Sequence, residues 1–408
     1  MAWNKVNVDE QRMHFVVRAA SGQERMSPLC REFGISRPTG YLWRKRFRQV
    51  DALAGLAEHS RRPKRIAHRT EVWKEQRVLA LRQQTGWGAK KLRVLLQEEE
   101  KISLAVRTIH RILDRHGLIS AIASQPAPGR FERSAPNDLW QMDTKGRYLL
   151  RAGECHPLSI LDDHSRYAVG LYALPELSAE KAYPYLVQTF LNYGLPLAML
   201  MDRGSLWWSA RNGWGLTWLS VRLIDLGIQL LYGRVRHPQT QGKVERFHRT
   251  LDQAIGHRGA PQEFAPWPAM LEEFRSSYNH RRPHEALAMK RPVERYQPSR
   301  RSYVEHAKEW EYPVGSDVRP LNAQGMLTEQ RHRWFVCEAL AGKRVRVERY
   351  AERLLVSYRH MYLREIDPQQ AWSRPLVVAR HSGAGNAPVA LRALSAFPVP
   401  TETTKGKV

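Results

Sequence analysis

Cysteine is scarce in this chain of 408 residues: Cys30, Cys155 and Cys337 stand far apart, with no paired spacing for a disulfide framework or a structural zinc site. Long apolar runs are missing as well, and no stretch of about 18 apolar residues offers a membrane span. No basic-then-apolar leader opens the sequence, so the expectation is a soluble, cytoplasmic protein in a reducing compartment. Acidic residues are also in short supply. Only 40 Asp and Glu face 65 Lys and Arg, for a formal charge of +25 and a pI near 10.3. An excess this large on a soluble chain favours polyanionic partners. It is unevenly spread: residues 1–135 hold 27 basic against 13 acidic side chains, residues 136–279 hold 15 against 14, and residues 280–408 hold 23 against 13. A nearly neutral centre lies between basic segments, the arrangement of a catalytic module flanked by DNA-binding modules. At this length roughly two to four domains are expected.

The N-terminal segment reads as three short helices. Residues 9–20 carry apolar positions at Met13, Val16 and Val17; Ser27-Pro28 opens a second helix with Leu29, Cys30 and Phe33 that stops at Gly34. After a tight turn at Ile35-Ser36, a basic aromatic helix follows through Trp43 and Phe47. Helix, short turn and basic helix make a helix-turn-helix, whose last helix enters the major groove of DNA. Arg37, Tyr41, Arg44, Lys45 and Arg46 are the candidate contacts there. This module is expected over residues 1–58, with a basic, Pro-broken linker over 59–70. A second helical unit is expected over 71–120, with helices at 72–84, 89–97 and 106–116. Arg107 and Arg111 share one face of its last helix while Ile109, Ile112 and Leu113 face inward, and Lys90 and Lys91 join them as candidate DNA contacts.

A Pro-rich linker over 121–136 precedes a change of character. Residues 137–300 read as strands first and then alternating helix and strand, an α/β domain with a mixed sheet. Its first two runs, 139–143 and 147–150, are expected to form a hairpin about Lys145-Gly146, and Asp162 and Asp163 to shape the next turn. Short β-branched and aromatic runs over 317–367 suggest a small β-barrel-like domain, and residues 375–408 a flexible tail.

Three carboxylates carry the chemistry. Asp143 and Asp202 each follow an apolar run of strand character, and Glu245 starts a helix just after a Pro, Gly and Gln-rich loop. Carboxylates brought together from two strand ends and a helix suit a pair of Mg2+ or Mn2+ ions, which activate water or a 3'-hydroxyl for in-line attack on a phosphodiester. On the same helix Val244, Phe247, Leu251 and Ile255 form a buried stripe, leaving Lys243, Arg246 and Arg249 for phosphates.

Taken in order, these segments resemble the DDE integrase and transposase superfamily with its ribonuclease-H-like core. The likeness is greatest to bacterial insertion-sequence transposases of the IS481 type, related to the IS3 group. It rests on Leu29 through Arg37, on Gly86-Trp87-Gly88-Ala89-Lys90-Lys91-Leu92 and on Trp140-Gln141-Met142-Asp143. It continues through Asp163-His164-Ser165-Arg166-Tyr167, Asp202-Arg203-Gly204-Ser205, Gly242-Lys243-Val244-Glu245-Arg246 and Tyr278-Asn279-His280-Arg281-Arg282-Pro283-His284-Glu285. The resemblance implies that Asp143, Asp202 and Glu245 are the catalytic triad holding two Mg2+ or Mn2+ ions. It further implies double-stranded DNA as partner, at the element's ends and in the target, a homodimer or larger assembly on DNA, and a bacterial, nucleoid-associated location. The alternatives are a DNA-binding regulator with an inactive core and a nuclease without strand transfer. The sequence departs from the family in three places. Glu245 follows Asp202 at a longer interval, which a surface loop in the Trp-rich stretch 207–218 is expected to absorb; Arg203 replaces the usual Asn; and Asp252 stands where a basic residue is common, with Arg249 as its candidate substitute.

Overall fold

The computed structural model describes residues 8–49, 70–119, 132–209, 215–233, 242–306 and 309–379. The basic linker up to residue 69, residues 121–131 of the second linker, the loop 234–241 and the tail beyond 379 lie outside the described residues. The chain divides into two compact units, Met1–Thr70 and Glu71–Val408.

In the first unit α1 (Val8–Ser21), α2 (Met26–Glu32) and α3 (Arg37–Gln49) pack around Phe15, Val16, Ala19, Leu29 and Cys30. Val17, one of the apolar positions read above, is exposed, and Phe15 is buried in its place. The Ser36 hydroxyl accepts the Thr39 N–H at 3.3 Å, which satisfies one orphan donor at the start of α3. Gly40 sets how closely α3 approaches, since a Cβ there would stand 2.5 Å from Cys30 Sγ and 2.9 Å from the Phe15 ring.

The second unit begins with α4 (Val72–Thr85), α5 (Ala89–Glu99) and α6 (Val106–Arg115), closed around Val78, Leu81, Leu92, Leu96, Ile109 and Ile112. The α/β region follows: β1 (Trp140–Thr144), β2 (Tyr148–Leu149), β3 (Glu154–Asp162), β4 (Ala168–Leu174), α7 (Ala179–Tyr193), β5 (Ala198–Met201), β6 (Trp208–Ser209), β7 (Gly215–Leu216), α8 (Trp218–Asp225), β8 (Gln229–Tyr232), α9 (Gly242–Arg258) and α10 (Trp267–Ser276). β3 pairs antiparallel with β1 and β4, while β1–β5 and β5–β8 are parallel, so the sheet is mixed. The expected hairpin of β1 with β2 does not form. β2 pairs instead with the start of β3, because β3 is long enough to take β1 along one half and β2 beyond it. Alternating strand side chains divide the core between the two faces. Met142, Leu158, Ile160 and Met199 pack with Leu186, Phe190 and Leu223 of α7 and α8, while Cys155, Leu161 and Leu171 pack with Phe247, Leu251 and Trp267 of α9 and α10.

The C-terminal part contains β9 (Asp317–Pro320), β10 (Met326–Glu329), β11 (His332–Phe335), β12 (Arg344–Tyr350), β13 (Arg353–Tyr358), β14 (Met361–Asp367) and β15 (Trp372–Ala379). Among the described residues it is a five-stranded antiparallel sheet, ordered β15-β14-β13-β12-β9, beside the hairpin β10–β11. β15 runs past the expected edge at residue 367 and through the first residues of the expected tail. This sheet is not a separate island: Leu321, Val336, Leu340 and Val356 belong to the same buried cluster as Leu219 and Leu230. The Trp-rich stretch joins the two. Trp207 and Trp208 are 1% and 6% exposed, and Cys337 Sγ lies 3.6 Å from the Leu216 carbonyl oxygen. The described flanks of the extra length, Leu206 to Trp208 and Leu216, are thus packed interior where a surface loop was expected, as their apolar area requires, while Trp218 is exposed and residues 210–214 lie outside the described residues. Asp225 at the end of α8 completes the joint, accepting from the Tyr358 hydroxyl at 2.6 Å and pairing with Arg359 at 2.9 Å.

Candidate active site and nucleic-acid interface

Asp143 and Asp202 meet because their strands are parallel neighbours. β1 and β5 pair Trp140 with Met199 and Gln141 with Leu200, and the same register carried two residues on sets Asp143 opposite Asp202 at the carboxyl ends of both strands. Ligands of open α/β sheets bind at that edge. Asp202 is fixed by two donors to Oδ1, the Gly204 N–H at 2.8 Å and the indole N–H of buried Trp207 at 2.7 Å. Gly204 has a second reason to lack a side chain, since a Cβ there would stand 2.8 Å from that same oxygen.

Glu245 is delivered by the first turn of α9, which is pinned across β1. The Val244 N–H donates to Gln141 Oε1 at 3.4 Å, and Gln141 Nε2 donates to Asp163 Oδ1 at 2.8 Å. Lys243 completes the anchor, its Nζ 2.5 Å from Asp163 Oδ1. This places Lys243, a candidate phosphate contact by sequence, against a fully buried carboxylate. Asp163 does more than shape a turn, and Arg133 donates its backbone N–H to Asp163 Oδ2 at 2.8 Å. Asp162 is the turn residue, accepting from the Ser165 N–H and hydroxyl at 2.7 and 2.6 Å.

The three carboxylates lie near enough for their charges to add. Burial, then the charge of Asp202, and more weakly that of Glu245, push the Asp143 carboxyl up to about 7, against one lowering hydrogen bond from the Thr144 N–H. They are not drawn into a closed cage: among the described residues no three His, Cys, Asp or Glu side chains converge to metal-binding distance. The donor set still fits a hard divalent cation, being carboxylate oxygens on two strand ends and one helix that repel one another.

His248, one turn after Glu245, was not signalled by any motif. Its Nδ1 lies 3.8 Å from Asp143 Oδ2 and its Nε2 2.9 Å from Ser159 Oγ, and burial pushes its pKa down to about 4, so the ring is neutral. An i, i+3 relation to Glu245 could have found it. Arg203 is exposed, with its guanidinium over the Trp208 ring at 5.1 Å from the centroid.

The candidate DNA contacts divide in three ways. On α3, Arg37, Tyr41, Arg44 and Lys45 follow helical spacing along one face, joined by exposed Arg48, which sequence reasoning passed over. Arg46 lies off that face, stacked on Trp43 at 5.0 Å. On α6, Arg107 and Arg111 are exposed, as are Arg246 and Arg249 on α9. Lys90 and Lys91 are instead turned to Glu285, at 3.0 and 3.7 Å, and Arg281 pairs with Glu99 at 2.9 Å, so ion pairs hold the second helical module to the α/β region.

Residues 133–238 and 226–292 match the integrase core domain. The chain carries an integrase core. Ahead of it, residues 11–64 match a helix-turn-helix domain and residues 39–113 a homeodomain-like domain. An integrase core behind helix-turn-helix modules is the domain composition of a transposase or integrase, with DNA as partner. Among solved structures, the chain is similar to a chain of the simian T-cell lymphotropic virus intasome in complex with PP2A regulatory subunit B56 gamma, at 14% identity and a TM-score of 0.35, over 76% of this chain and 100% of that one. It is also similar to the HTLV-2 integrase catalytic core domain in complex with magnesium, dimeric form, at 14% identity and a TM-score of 0.30, over 40% of this chain and 97% of that one. No helix among the described residues is long and apolar enough to cross a membrane.

Proposed function

We propose that this protein is a DNA transposase of the IS481 type, which binds the terminal repeats of its own element, cleaves a strand there and transfers the freed 3'-hydroxyl to target DNA. The observation that carries this reading is the parallel register of β1 and β5, which carried two residues on brings Asp143 and Asp202 together, with the helix of Glu245 anchored over β1 and the charges of Asp202 and Glu245 pressing on Asp143. Asp143, Asp202 and Glu245 would hold two Mg2+ or Mn2+ ions. Such ions, when bound, acidify the attacking oxygen and neutralise charge on the phosphate. The chain's own contribution is rigidity and charge. Trp207 and Gly204 fix one carboxylate, and the Lys243–Asp163–Gln141 network fixes the helix that supplies another. Neutral His248 fills the space beside Asp143 without adding a cation that would compete for it. Helix α3 and exposed Arg107 and Arg111 supply phosphate and base contacts, while Arg246 and Arg249 face phosphates on the helix that carries Glu245. Two element ends must be handled together, which favours a homodimer or larger assembly on DNA.

The test is purified protein with Mg2+ or Mn2+ and a labelled duplex bearing the inverted repeats that flank its gene. Cleaved ends and joined products support the reading. Cleavage without joining reduces the protein to a nuclease, and binding with no cut strand reduces it to a regulator.

A further inference from the structure

Helix α9 presents Glu245, His248 and Asp252 along one face, and the end of β1 runs beneath it, presenting Asp143 and then Lys145. Lys145 is held at both ends. Its backbone N–H donates to the Pro157 carbonyl at 2.8 Å, and its Nζ lies 3.1 Å from Asp252 Oδ2. Asp252 is itself aimed by the Tyr148 hydroxyl, which donates to Oδ1 at 2.6 Å, while the Lys145 ammonium lies 5.9 Å from the centre of the Tyr148 ring. This assembly is open to solvent, with side-chain exposures of 27% for Lys145 and 44% for Asp252. An ion pair so exposed adds little to stability. An ammonium has three N–H donors, of which Asp252 engages one, so the others remain for a second acceptor.

We propose that Lys145 is a further DNA-contacting residue, which grips a backbone phosphate beside the three carboxylates, with Asp252 and Tyr148 as the positioning residues that aim it. The proposal rests on the strand-transfer reading for the place of the DNA, and on its own geometry for the contact. A lysine already fixed at its backbone and its head loses less freedom on meeting a phosphate than one that swings free. Asp252 thus serves a cation from another element in place of carrying the positive charge on α9.

The full-length protein tests this in metal-free buffer. A short duplex selected by the protein from a random-sequence pool is compared with the same duplex carrying a neutral methylphosphonate at one position at a time. One such position should weaken wild-type binding about tenfold, as expected for a charge-assisted hydrogen bond. Lys145→Gln should weaken binding of the unmodified duplex to the same degree and abolish the effect of that one position. Asp252→Asn should retain it. Equal methylphosphonate penalties in wild type and Lys145→Gln at every position would overturn the assignment, as would identical behaviour of Lys145→Gln and Asp252→Asn, which would make the pair a brace and nothing more. Because the readout is binding without metal, a protein that shows the coupling and cleaves nothing would sink the strand-transfer reading and leave this contact standing.

Discussion

Replacing Asp143 by Asn should make the metal-free protein more stable, by an amount that grows with pH. In the folded chain burial and the charges of Asp202 and Glu245 lift the Asp143 carboxyl from its usual 3.8 to about 7. A group whose folded pKa is raised in this way costs nothing below its unfolded value, where both states are protonated. As pH rises through the window from 3.8 to about 7 the unfolded chain gives up the proton first, so the folded state loses stability until both are ionised. The rise of roughly three pH units, at about 1.4 kcal/mol each, sets a ceiling of about 4 kcal/mol. With Asp143 19% exposed and its like-charged neighbours able to relax apart, about 2 kcal/mol is the working figure, or a melting shift of roughly 5 °C. Asn mimics the neutral acid and is indifferent to pH, and all other titrating groups cancel between the two proteins. The assay is thermal melting of both, free of metal, from about pH 5 to about pH 9. The gap should widen up to about pH 7 and then level. Added Mg2+ should reverse the order, stabilising wild type and not the variant. A gap that stays constant across the pH range would refute the idea that the carboxylates press on Asp143.

Gly204→Ala forces a methyl against the carboxylate oxygen of Asp202, so strand cleavage should fall by about a hundredfold, the scale of loss for roughly 1 Å of misplacement, while DNA binding stays within about twofold. Asp163→Asn takes the charge partner from the part-buried Lys243 ammonium, which keeps the carbonyl oxygen of residue 163 at 3.1 Å, and should destabilise the second unit by about 2 kcal/mol in denaturant unfolding, whereas joint replacement of Asp163 and Lys243 by apolar residues should restore most of that loss; equal destabilisation by both proteins would deny the ion pair its role. Neutralising Arg37, Arg44 and Lys45 together should reduce the slope of log affinity against log salt by about three while leaving Mg2+-dependent stabilisation unchanged, and an unaltered slope would remove α3 from the DNA surface. Glu285→Gln releases Lys90 and Lys91 and should speed amide exchange in α5 with a stability change under about 1 kcal/mol, since the pairs are exposed.

Much of the architecture is one-dimensional information. Apolar runs before Asp143 and Asp202 mark strands whose ends turn to solvent, and 3.6-residue periodicity marks α6 and α9 together with their buried stripes. The local order of types also announced a mixed sheet, because strands in sequence followed by alternation leave few ways to connect. The helix end at Gly34 and the turn at Ile35-Ser36 were legible for the same reason: caps and turns depend on neighbours within a few residues.

Which partner each charge takes was decided only in three dimensions. Lys243, Lys90 and Lys91 looked like phosphate contacts, and the fold turned them to Asp163 and Glu285, carboxylates remote in sequence. The same distance hid Lys145 and Asp252, His248 and Asp143, and the choice of β3 as the partner of β2. The Trp-rich stretch was visible as composition, but the burial of Trp207, Trp208 and Leu216 in one core with the C-terminal sheet was not. By itself the sequence determined the elements, the carboxylate positions and the basic bias, because hydrophobic period and local turn chemistry act over a few residues. Register, ion-pair choice and the sharing of one core by two regions belong to the tertiary structure, because they depend on contacts between segments whose separation along the chain carries no information about their separation in space.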